Sequence, residues 1–218
     1  MINAELIKHC QERLKPYPCE GFLLGGGNRN ADLLFVGEAP GRDELTTQKP
    51  FTGKAGASLN RYLSELELTR DDIYVTSTVR SRPYKHDEKS KLKPVEQRGN
   101  RTPTQKEVLA HAPLLDETIA IIKPKVIVVL GAIALKRLTG NELSLKKVHG
   151  QAFCTQLLRL PSLEATRLER VGEKHVLFPT FHPAAIFYNP SLKQVIKNDM
   201  LALKELITFQ GVYQPNLR

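Results

Sequence analysis

The stretch Asp32-Leu33-Leu34-Phe35-Val36-Gly37, running straight into Glu38-Ala39-Pro40-Gly41, decides the fold. Its apolar run is short, unbroken and bulky, the pattern of a strand buried on both faces. Gly37, Pro40 and Gly41 then force a tight strand-exit turn. Three more runs of this kind follow, at 73–79 (IYVTSTV), 126–131 (VIVVLG) and 175–180 (HVLFPT). Helical periodicity separates or follows them at 55–66, 104–122, 132–138 and 192–209. Strands alternating with helices imply an α/β protein, a three-layer α/β/α sandwich around a central, mainly parallel four-stranded sheet. Ligands of such sheets bind beyond the carboxyl ends of the strands.

The chain has 218 residues, 41% hydrophobic and 25% charged, which suits a single globular domain over 1–218. Two charged loop insertions are expected, at 84–101 and 157–174. The formal net charge of +9 fits a polyanionic partner and equally fits a protein kept soluble by its charge. No run approaches the ~20 apolar residues of a membrane span, and the first ten residues lack the apolar core of a secretory signal. With only Cys10, Cys19 and Cys154, widely spaced, a reducing cytoplasm is the expected setting.

Four short segments fall at strand ends or helix starts. Gly37–Glu44 reads GEAPGRDE and places acidic side chains over the crevice, or in solvent on an ordinary turn. Lys49-Pro50-Phe51-Thr52-Gly53-Lys54-Ala55-Gly56 is a Gly-rich approach to a helix whose free N–H groups suit a phosphate. It lacks the Gly-Lys-Ser/Thr spacing of a Walker A loop. Phe51 is either core or a stacking face for a planar base. Thr76-Ser77-Thr78-Val79-Arg80-Ser81-Arg82-Pro83 ends the second strand, and Phe181-His182-Pro183 follows the fourth.

GEAPG, PFTGKAG, the T-x-x-V-x-x-R-P strand end and FHP, in this order, resemble the uracil-DNA glycosylase superfamily, and most nearly its iron–sulfur class, family four. The resemblance runs over 32–198 and implies an enzyme that flips a uracil out of single- or double-stranded DNA and hydrolyses its N-glycosidic bond. It implies stacking by Phe51, donation by His182 to the uracil oxygen that gains charge, and a carboxylate, Glu38 ahead of Glu44, that acts on water and on the oxocarbenium-like sugar. Gly37, Ala39 and Gly41 should line the pocket with Ser77, while Lys54, Ser58, Arg80, Arg82 and Pro183 should face DNA. A monomer is expected.

Two departures stand out. Ser77 occupies a position where the family commonly has an Asn that reads the base edge, and a hydroxyl cannot offer the amide's paired donor and acceptor. Family four also holds a 4Fe–4S cluster on four cysteines. Here Cys10 matches the first, with Arg13, Ser81 and His111 at the other three, so no cluster and no metal are expected. Asn100 stands roughly where a related class carries a covalently reactive His, and His86 is the loop's own histidine. A catalytically weak DNA-binding relative is the competing expectation. A small-molecule nucleotide hydrolase suits the basic charge less well.

Overall fold

The computed structural model describes residues 2–209 and Gly211. In chain order come α1 (Ala4–Leu14), β1 (Cys19–Glu20), β2 (Gly26–Gly27), β3 (Leu33–Gly37), α2 (Arg42–Thr47), α3 (Gly53–Glu65), β4 (Ile73–Ser77), β5 (Arg82–Pro83), α4 (Glu88–Lys91) and α5 (Gln105–Ile122). There follow β6 (Val126–Leu130), α6 (Ala132–Thr139), α7 (Leu145–Val148), β7 (Phe153–Arg159), β8 (Glu169–Thr180), a 3-10 turn (Pro183–Phe187) and α8 (Leu192–Phe209).

The main sheet has the order β2-β4-β3-β6-β8-β7. Its inner four strands are parallel and coincide with the four apolar runs. Six strands stand where four were expected, because β2 and β7 add antiparallel edges. β7 and the first half of β8 correct part of the reading of 157–174 as a loop insertion: 157–159 and 169–174 are the arms of an antiparallel hairpin, Leu158 pairing Arg170, and 160–168 is the loop between them. Its polarity reflects an edge position, since much of the hairpin remains partly exposed.

Alternate strand residues face opposite sides of a sheet. Leu33, Phe35, Ile73, Val75 and Val128 pack on Leu59 and Leu63 of α3 and on Ile196, Met200 and Leu203 of α8. Leu34, Val36, Ile127 and Val129 pack on Leu115 and Ile119 of α5 and on Leu135 and Leu138 of α6. Among the described residues no helix is long and apolar enough to cross a membrane.

The stretch 84–101 is mostly exposed and carries one short helix, α4, with a Tyr84–Asn100 bridge at its base. Arg82, fully buried, holds it down by donating to the carbonyls of Val95 and Arg98 and to Asn100 Oδ1, while pairing with Glu20. Arg101 is a second tie. It donates to both oxygens of Glu107 at 2.8 and 2.5 Å and to the carbonyls of Pro18 and Tyr84. Glu107 also closes a capping box with Thr104 at the start of α5. Burial would raise its carboxyl, but hydrogen bonds from Arg101, the Thr104 backbone and Cys19 outweigh burial and hold it down at about 2. Glu107→Ala should therefore lower stability by about 3 kcal/mol, since one half of a buried pair is left alone. Urea unfolding checks this, and a midpoint equal to that of the wild type contradicts it.

Candidate active site

Parallel strands deliver their carboxyl ends to one edge of the sheet. Gly37 and Ser77 are partners in the last register of β3 and β4, and Gly131 N–H donates to Thr180 O at 2.9 Å where β6 and β8 end. That edge gathers the turn after β3, the segment carrying Phe51 and the segment carrying His182.

Phe51 adopts a left-handed backbone, φ 53°. Arg70 holds it there by donating to its carbonyl at 2.9 Å and to that of Gly56 at 3.4 Å. Two glycines make room. A Cβ on Gly56 would lie 1.8 Å from the Phe51 carbonyl oxygen, and one on Gly37 would lie 2.7 Å from Phe51 Cζ. The ring thus rests on the end of β3, its centroid 5.4 Å from that of His182 with the planes 32° apart.

His182 caps the 3-10 turn, its Nδ1 accepting from Ala184 N–H at 3.2 Å. The proton of the neutral ring must then sit on Nε2. Burial drives the imidazolium pKa down to about 4, so the ring is neutral at physiological pH and offers an N–H.

A cleft of about 390 Å³ is lined by Ala39, Gly41, Glu44, Lys54, Asn100 and His182, among others. Both candidate carboxylates have pKa values raised by burial. Glu44 reaches back to the backbone N–H of Gly41, the N-cap of α2, so it serves the helix start as well as the cleft wall. Glu38, half-buried beside Gly37, has the Thr102 hydroxyl as its hydrogen-bonding partner and is not among the cleft-lining residues. Ser77 is buried at the floor of the edge, next to Gly37.

Four expected DNA contacts are corrected. Arg80 is fully buried, donating to Ser77 O, Leu114 O and Thr118 Oγ1, and Arg82 is spent on the loop as described. Ser58 and Pro183 are buried too, so none of the four presents a side chain to a phosphate. Lys54 is exposed on the cleft wall. Sequence reasoning missed Arg70, which steadies Phe51 from nineteen positions away in the chain and which no local motif marks. Asn100, at the position where a related class carries a reactive His, does stand on the cleft wall.

The residues at the family-four cysteine positions do not fit an iron–sulfur cluster. Such a cluster needs thiolates. Burial pushes the Cys10 thiol up to about 11 and the Cys19 thiol up to about 12, and Cys19 donates to Glu107 at 3.3 Å. Arg13 points away to Leu163 O. His111 donates from Nδ1 to Glu107 O, which leaves Nε2 to accept from Ser81 Oγ at 3.4 Å. Among the described residues no group of three or more His, Cys, Asp and Glu is arranged to hold a metal.

The sequence profile of the uracil DNA glycosylase superfamily matches residues 24–203, a span that includes every cleft residue named above. The chain belongs to that superfamily. Within it, the chain is 32% identical to the type-4 uracil-DNA glycosylase of Saccharolobus solfataricus, over 99% of this chain and 89% of the relative. It is 33% identical to the type-4 enzyme of Sulfurisphaera tokodaii (94% and 81% covered) and 32% identical to that of Thermotoga maritima (96% and 95% covered). The likeness therefore spans whole proteins and is not confined to one shared motif.

Proposed function

We propose that this protein is a uracil-DNA glycosylase of the type-4 kind, a monomer on an α/β/α frame that excises uracil from DNA. The observation that carries this reading is the neutral His182, its Nε2–H free, beside a Phe51 ring laid over Gly37. A uracil extruded from the helix stacks on Phe51, and Nε2–H donates to the carbonyl oxygen of the departing base. The C1′–N1 bond breaks with its electron pair leaving on uracil, and the sugar becomes oxocarbenium-like. Glu38 stabilises that cation and takes a proton from the water that adds to C1′. The proton on Glu38 then passes through solvent to the uracil anion, so the products are free uracil and an abasic site, with Glu38 again ionised.

The test is cleavage of oligonucleotides carrying one uracil, single- and double-stranded, followed by alkaline scission of the abasic product. Intact strands after long incubation with excess protein, alongside measurable binding, would favour a non-catalytic DNA-binding relative. Ser77, paired with Gly37 at the end of the strands, supports that second reading, because a short hydroxyl there would offer the base edge less than an amide does.

The proposal includes activity without a cluster, in a reducing cytoplasm. Protein purified with or without air is expected to be colourless and equally active. Absorbance near ~400 nm, as thiolate-ligated iron–sulfur sites give, would contradict this.

A further inference from the structure

α3 and α8 enclose a second, larger groove of about 730 Å³, lined by Arg61, Tyr62, Glu65, Ser191, Lys193 and Lys197, among others. Arg61 and Glu65 belong to the α3 wall, Lys193 and Lys197 to the α8 wall. None of these four charged side chains has an ion pair or a side-chain hydrogen bond among the described residues. Tyr62, only 5% exposed, lies under the groove, and its buried hydroxyl has no hydrogen-bond partner among the described residues. A buried hydroxyl without an acceptor is unfavourable, and this one lies where an acceptor entering the groove could reach it.

Two stretches of chain join this groove to the cleft. Along α3, Lys54 lines the cleft and Arg61 the groove, about 10 Å apart at 1.5 Å per residue. Along the other wall, Ala184 lines the cleft and Ser191 the groove. At roughly 3.4 Å of rise per nucleotide, that distance spans about three nucleotides.

We propose that the α3–α8 groove binds the phosphodiester backbone of the DNA strand about three nucleotides from the extruded base. Arg61, Lys193 and Lys197 neutralise phosphate, and the Tyr62 hydroxyl donates to a phosphate oxygen once the charged chains above it part. The inference rests on the glycosylase reading for its ligand, but its test is binding, not turnover.

The triple variant Arg61→Gln/Lys193→Gln/Lys197→Gln is compared with the wild type by fluorescence anisotropy over a range of salt. A 15-nucleotide strand and one with a single nucleotide on each side of the uracil serve as ligands. On the long strand the variant should bind at least tenfold more weakly. Its slope of log affinity against log salt should be shallower by at least about 1.4, at about 0.7 per single-strand phosphate contact. On the short strand the two proteins should bind alike. Tyr62→Phe should weaken long-strand binding severalfold without lowering the Tm. An unchanged salt slope, an equal deficit on the short strand, or wild-type binding by Tyr62→Phe each overturns the proposal. If the wild type yields no abasic product yet the variant loses its salt slope, the glycosylase reading fails and the groove stands. If uracil is excised and the variant binds as the wild type does, the groove fails alone.

Discussion

Replacing His182 by Ala is expected to slow single-turnover uracil release by about 10²–10³-fold, or ~3–4 kcal/mol of barrier, while DNA affinity changes little. The reason is geometric. Nδ1 is committed to Ala184 N–H, so Nε2–H is the free donor, and it lies beside the Phe51 ring where the base would stack. An interaction that strengthens only as the leaving oxygen gains charge lowers the barrier without tightening ground-state binding. His182→Asn separates this role from the helical cap, because Asn is a good N-cap residue but has no Nε2 to offer. Both variants should lose turnover alike. Since burial holds the imidazolium at about 4, the wild-type rate should show no fall with rising pH between about 6 and 8, where an unperturbed histidine acid would lose its proton. A descending limb there, or equal loss of affinity and turnover in His182→Ala, contradicts the neutral-donor assignment.

Glu38→Gln carries the second large effect, a loss of about 10²–10⁴-fold in turnover with binding retained, the range for a removed general base. Burial raises its carboxyl above the ordinary range, so the wild-type rate should fall on acidification at a pH above that of an exposed glutamate. Glu44→Gln is the comparison that decides between the two carboxylates. Gln can keep the hydrogen bond from Gly41 N–H, so α2 stays capped and any loss reports chemistry alone. A loss smaller than tenfold is expected. If Glu44→Gln is the more damaging change, the roles are reversed, as its position on the cleft wall would then explain.

The four parallel strands were legible because burial on both faces leaves only apolar residues in each run, as in Val126–Leu130. β2 was not, since it is two glycines held by the partner strand β4 and not by any propensity of their own. β7, FCTQLLR, lacks a clean period-two alternation and the outer half of β8, ERVGEK, is almost wholly polar, so that part of the sheet edge reads as a loop. The order of the strand-end motifs pointed to Glu38, Phe51 and His182 around one pocket; Phe51 and His182 stand together, while Glu44 and not Glu38 lines the cleft. Arg80 and Arg82 misled because charge in a sequence does not say which way it faces. Each guanidinium turns inward and meets carbonyl oxygens, which only the folded backbone supplies. Arg70 has the opposite history: it is unremarkable in sequence, and its role depends on a carbonyl turned outward by the left-handed Phe51.

The tie between Arg101 and Glu107 changes what the amino-terminal segment needs in order to assemble. Both members come with the polypeptide, so the closure forms as α5 and the chain near Pro18 meet, with no ion to be loaded or delivered by other proteins. Neither member of the pair is a metal ligand, so a chelator removes nothing from it. Recovery of native protein from urea in the presence of EDTA should match recovery in its absence.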